Sequence, residues 1–81
     1  MTKTEENTLR ELAEPHMKHE SFAVIAERLY TNRGIFQNVG LAALDRLVIG
    51  GFADRQRQGP GKFRYRRSEA GQAHLAQAVA V

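Results

Sequence analysis

Six of the residues in RQRQGPGKFRYRR, positions 55–67, are Arg or Lys, and none is Asp or Glu. So dense a run of fixed positive charge suits a polyanion such as a nucleic-acid backbone, because each phosphate neutralised releases a condensed counterion. A solubilising surface would scatter its cations, whereas here they alternate about GPG in the pattern of a hairpin. Arg55, Arg57, Lys62, Arg64 and Arg66 are therefore candidate phosphate ligands, which orient a partner without reading it. A second set, Arg33, Gln37, Asn38 and Arg46, has base-reading chemistry. Gln and Asn pair bidentately with adenine and Arg with guanine, and a helix N-terminus favours a nearby phosphate. Asn38 has a competing structural use as a helix N-cap.

Other chemistry is poorly supplied. His16, His19 and Glu20 are close in sequence, but Pro15 sets them at a helix end and no Cys or Asp joins them, so no metal is expected. The two serines, Ser21 and Ser68, are better explained as helix caps than as nucleophiles. No carboxylate pair has neighbours that divide it into acid and base. The expectation is a protein that is no enzyme and has no cofactor.

Composition narrows the class further. Net charge is +3, yet residues 1–27 carry three basic and six acidic side chains while residues 28–81 carry nine basic and three acidic. The absence of cysteine excludes disulfides, thiolate zinc sites and thiol catalysis, and a reducing compartment, the cytoplasm, is the expected location. The polar, acidic MTKTEENTLRE has none of the character of a signal peptide, and no apolar run approaches the ~20 residues of a membrane helix. Eighty-one residues are expected to form one domain, residues 1–81, with a modest core.

The elements that must hold the cations can be read from periodicity. Thr2 and Glu5 can form a capping box for a first helix in which Leu9, Leu12 and Ala13 recur until Pro15. Ser21 caps a second, with Phe22, Ile25, Ala26 and Leu29 inward and Glu27 and Arg28 on the wet side. After the connection TNRGIF, Asn38 caps a third helix whose Leu41, Leu44, Leu47 and Val48 face inward and which Gly50-Gly51 stops. Its remaining face then offers Gly40, Ala42 and Ala43. The period next changes to that of strands, Phe52–Gln58 and Lys62–Arg67 around GPG. A turn centred on Gly59-Pro60 or on Pro60-Gly61 puts Arg55 and Arg57 opposite Lys62, Arg64 or Arg66, giving one basic face that calls for an anion. Phe63 and Tyr65 fall on the other face, as anchors to the helices. Ser68 caps a last helix in which Ala70, Ala73, Leu75, Ala76 and Val79 can pack inward or on a second copy.

This order resembles the winged helix-turn-helix domain of MarR-like and PadR-like bacterial regulators. The resemblance is carried by residues 44–75, LDRLVIGGFADRQRQGPGKFRYRRSEAGQAHL, with Leu44, Leu47, Gly51, Phe52, Arg55, Gly59, Tyr65, Ser68, Gly71 and Leu75 on the family pattern. It implies a mainly α fold with a β-hairpin: a three-helix bundle, a two-stranded wing and a C-terminal helix. It also implies a third helix in the major groove of double-stranded DNA, a wing on the adjacent backbone or minor groove, and a role in transcription regulation in a bacterial or phage-like setting. Two departures carry expectations of their own. Arg67 stands where the family has an apolar residue, so the end of the wing should be less buried, and the second and third helices look further apart than a tight turn allows. A homodimer through the first and last helices is a further expectation. The rival reading is a winged-helix protein-interaction module, an assembly factor or phage-type inhibitor, that docks a protein partner through the small-residue third helix. An RNA-binding winged helix stands third.

Overall fold

Three helices, a short strand among them, a hairpin and a last helix make up an α+β fold with a three-stranded antiparallel sheet. The computed structural model describes residues 1–80, with side chains described through Gln77. The elements are α1 (Lys3–Arg10), β1 (Glu20–Ser21), α2 (Phe22–Arg33), α3 (Gln37–Ile49), β2 (Ala53–Gly59), β3 (Lys62–Arg67) and α4 (Glu69–Ala80).

α1 begins with the expected capping box: the Glu5 amide donates to Thr2 Oγ1 at 3.1 Å and the Thr2 amide to Glu5 Oε1 at 3.0 Å. The helix ends at Arg10, ahead of Pro15, and Leu12 is buried from the turn that follows. Arg67 closes this end. Its guanidinium donates to the carbonyls of Leu9 (3.0 Å) and Arg10 (3.1 Å) and to Gln72 Oε1 (2.6 Å), which adds a charged donor to the carbonyl end of α1. Arg67 is half-buried, and through these bonds it ties β3, α1 and α4 together.

α2 starts at Ser21, whose Oγ accepts from the Val24 amide, and runs through TNR to Gly34. That glycine is left-handed (φ 65°), with its amide donating to the Tyr30 carbonyl and that of Ile35 to the Leu29 carbonyl, a motif that favours glycine at this position. Only residues 34–36 then separate α2 from α3, so the long connection expected between them is corrected to a tight turn. Phe36, with no side-chain hydrogen bond, occupies the N-cap of α3, and Asn38 lies inside the helix. Asn38 is therefore not a cap.

The interior is a cluster of Leu9, Leu12, Ile25, Leu29, Leu44, Leu47, Ala53, Tyr65 and Leu75, flanked by Phe22, Ile35, Val48, Phe52 and Phe63. Each fully buried leucine contributes roughly 1.5–3 kcal/mol of apolar transfer. Gly40 and Ala43 are buried within α3 and Leu41 is 39% exposed, which corrects the expected faces of that helix. A Cβ on Gly40 would stand 2.8 Å from Leu29 Cδ1, so the missing side chain is what lets α2 and α3 close together. In α4, Gly71 and Leu75 face inward, while Ala70, Ala73 and Ala76 are exposed; the Val79 side chain lies outside the described residues.

β1 is a third strand that periodicity over two residues cannot announce; it adds to the hairpin in the order β1-β3-β2, pairing Glu20 with Tyr65 and Ser21 with Arg64. The hairpin turns on Pro60-Gly61, with Gly59 opposite Lys62 and Gly61 left-handed at φ 68°. A bulge between Arg57 and Gly59 then shifts the register, so Arg57 faces Phe63, Arg55 faces Tyr65, Gln56 faces Arg64 and Asp54 faces Arg66. Side chains alternate faces with period two, so this slip moves every cation of β2 to the other side of the sheet. The single basic face of like-charged opposite pairs is thus corrected: Arg55 and Arg57 share the face of Phe63 and Tyr65, and Lys62, Arg64 and Arg66 occupy the reverse.

Candidate nucleic-acid interface

The nine candidate residues divide by what neutralises them. Arg33 Nε donates to Glu11 Oε2 at 3.0 Å, and Glu11, buried between α1 and α2, also accepts from Asn32. Arg46 Nε donates to Glu5 Oε2 at 2.6 Å, and this bond holds the Glu5 carboxyl below its ordinary pKa. Arg66 donates to the Met17 carbonyl at 2.9 Å, with its Nε 4.0 Å from Asp54 and without a hydrogen-bond partner. These three join parts of the fold to one another. Arg28, expected on the wet side of α2, does likewise. It is half-buried, forms a two-pronged pair with Glu20 (2.9 and 2.6 Å) and reaches the Glu11 carbonyl, and it lowers the pKa of Glu20.

Arg55, Arg57, Lys62 and Arg64 are different. All four are exposed, and none has a carboxylate within ion-pair distance among the described residues. Arg55 lies over the Phe63 ring, 4.6 Å from its centroid, a cation–π contact that fixes the guanidinium's position and leaves its charge unmatched. Because of the bulge these cations surround the end of the hairpin on both faces.

Gln37 and Asn38 are exposed in the first turn of α3. Gln37 lines a shallow cleft with Tyr30 and Phe36, while a separate cleft of about 390 Å³ has walls that include Leu41 and Asp45 of α3, Phe22 of α2, and Arg55, Phe63 and Tyr65 of the hairpin. Tyr65 is buried at its base, and that burial raises its pKa. The structure puts Arg55 and Arg57 on the face of the hairpin that carries Phe63 and Tyr65, with Arg55 across the cleft from Leu41 and Asp45 of α3. It sets Lys62 and Arg64 on the reverse and takes Arg33, Arg46 and Arg66 out into internal pairs.

The outward side of α3 was the part least legible beforehand. With Gly40 and Ala43 in the core, the exposed residues are Gln37, Asn38, Val39, Leu41, Ala42, Asp45, Arg46 and Ile49, and Tyr30 and Phe36 form an exposed aromatic pair at 5.9 Å beside its first turn. Asp45 was not among the candidates; its spacing of four from Leu41 was the available signal. Among the described residues no group of three His, Asp or Glu side chains is placed to hold a metal ion, and no helix is long and apolar enough to cross a membrane. His16 meets only Glu14 (3.3 Å), and His74 meets Glu6 (3.1 Å).

No family model matches the chain, and no match to it was found among curated proteins or solved structures.

Proposed function

We propose that the protein is a winged helix-turn-helix module that binds double-stranded DNA and serves in transcription regulation, with the hairpin as the wing and α3 presented to the major groove. The observation that carries this reading is the contrast among the cations. Arg28, Arg33, Arg46, Arg66 and Arg67 are matched by carboxylates or carbonyls, whereas Arg55, Arg57, Lys62 and Arg64 lie unmatched on the two faces of the hairpin that follows α3. The element order, the tight α2–α3 turn and a hairpin directly after α3 support it, since that arrangement lets a helix and a hairpin approach one duplex together. Four phosphate contacts predict that the log of the binding constant falls with log salt at a slope of about 3.6. Replacing Arg55, Arg57 and Arg64 together by Ala should flatten that slope by roughly 3 units. Titration of a random-sequence duplex at several salt concentrations tests this; binding indifferent to salt and to the triple substitution overturns it.

One observation favours a second reading, a protein-docking module. Val39, Leu41, Ala42 and Ile49 make half of the exposed residues of α3 apolar. Under that reading the triple substitution leaves the partner bound, and Ala42→Glu releases it.

A further inference from the structure

Of the eight exposed residues of α3, Gln37, Asn38, Asp45 and Arg46 are polar, and Arg46 is paired with Glu5. Asn38 stands in the first turn, Asp45 two turns on, and between them are Val39 (42% exposed), Leu41 (39%) and Ala42, which present only methyl and methylene groups. Leu41, at one edge of this apolar strip, lines the same cleft as Arg55, so a partner that covers the strip and reaches the cleft must also accept that unmatched cation. The major groove of a duplex meets both requirements, with phosphates at its rim for Arg55 and Arg57 and apolar methyl groups on its floor.

Resting on the DNA-binding reading, we infer that α3 selects duplexes by the 5-methyl groups of thymine: Val39, Leu41 and Ala42 lie against thymine methyls while Asn38 pairs with an adjacent adenine through N6 and N7. Both contacts belong to A·T pairs, and both occur only in the major groove. Asp45 fits the same surface, because a carboxylate accepts from the exocyclic amino groups of cytosine or adenine and is repelled by phosphate. It would therefore hold the helix on the groove floor and off the backbone.

Replacing thymine by deoxyuridine removes the methyl and leaves base pairing, the minor groove and the phosphates unchanged. The test measures binding of the whole protein, at one salt concentration, to A·T-rich duplexes of about two helical turns containing dT or dU. A G·C-rich duplex containing C or 5-methyl-C is measured beside them. Each methyl buried against the helix should be worth roughly fourfold, so loss of two contacts weakens binding about fifteenfold. Ala42→Gly, which removes the facing methyl, should shrink the dT-to-dU ratio while keeping the salt dependence. Equal binding of dT and dU duplexes, with the salt slope intact, overturns the inference and leaves the DNA-binding reading standing. A gain for 5-methyl-C without a dT-to-dU difference overturns it in favour of methylated cytosine. Absence of salt-dependent binding to every duplex removes the underlying reading instead. If the free protein sediments as a dimer that Ala42→Glu dissociates, the strip is an interface between copies and the inference fails.

Discussion

The arginines of the helical body and those at the end of the hairpin have the same chemistry and opposite circumstances. In the body, Arg28 is half-buried against Glu20, Arg33 pairs with the buried Glu11, and Arg67 closes the carbonyl end of α1. At the hairpin, Arg57 and Arg64 meet no carboxylate among the described residues, and Arg55 meets an aromatic face. A cation with an internal partner holds elements together and has little charge left to offer. One without a partner contributes little to folding and retains its whole field for something outside the chain. Counting basic residues along a sequence cannot separate these two uses, whereas the position of the acids in space does.

The largest expected effect tests whether the body is as tightly joined as its pairs imply. A Cβ on Gly71 would lie 2.1 Å from the Phe52 carbonyl oxygen, a backbone atom that cannot step aside. Ser68, beside it, donates to the Gly51 carbonyl and accepts from the Gly71 amide. Gly71→Ala should destabilise the fold by about 3 kcal/mol or more, lowering the melting temperature by upwards of roughly 12 °C; a melt within a few degrees of the parent would break this account of the α4 contact.

Arg33→Ala comes next. It leaves the buried Glu11 carboxylate with Asn32 and without its cation, and should cost about 2 kcal/mol in urea denaturation. The slope of DNA binding against salt should be unchanged, because Arg33 serves the body. A loss of slope without a loss of stability would move Arg33 to the other side of the comparison.

Glu20→Gln gives a smaller effect with a pH signature. Arg28 holds the folded-state pKa of Glu20 below its ordinary 4.5, so the unfolded chain binds the proton more readily. The pair's contribution is therefore complete above about pH 4.5 and is lost as pH falls through the lowered value. At neutral pH the substitution should cost about 1 kcal/mol, and the variant's stability should decline less than the parent's below pH 4.5. Equal acid profiles would show that the pair adds nothing to the fold.

Least of all should be the stability change in Arg57→Ala or Arg64→Ala, within about 0.5 kcal/mol by thermal melting. Either substitution should nevertheless remove about one unit from the salt slope of duplex binding. These two measurements, made on the same protein, sharpen the division more than either alone.

Much of the architecture could be read from local chemistry. The Thr2–Glu5 box, the Ser21 cap, the Gly50-Gly51 stop and the two hairpin strands all depend on neighbours in sequence. The errors share a different origin. That Gly40 and Ala43 are interior depends on how closely α2 and α3 approach, a distance set by Leu29. The N-terminus of α3 was misplaced because Phe36, which makes no side-chain cap, holds that position, and the connection before it shortened once Gly34 was the cap of α2. β1 exists only because β3 lies beside it. Of the candidate site, the identities of the unpaired hairpin cations were legible, but their faces were not, since a single unpaired residue in β2 reverses them. The pairing of Arg33, Arg46 and Arg66 required carboxylates from α1 and β2 that are distant in sequence or on a neighbouring strand.

The bulge at Gln58 has one more consequence, for inheritance. Gly59 and Lys62 already frame a complete two-residue turn, and Arg57 already faces Phe63, so Gln58 is a residue the ladder does not use. Loss of its codon would restore an uninterrupted hairpin in which Arg55 and Arg57 keep the sides they now occupy. Descendants of this gene can therefore differ in length at this position while presenting the same charges in the same directions, whereas a codon lost two positions earlier would turn Arg55 to the opposite side.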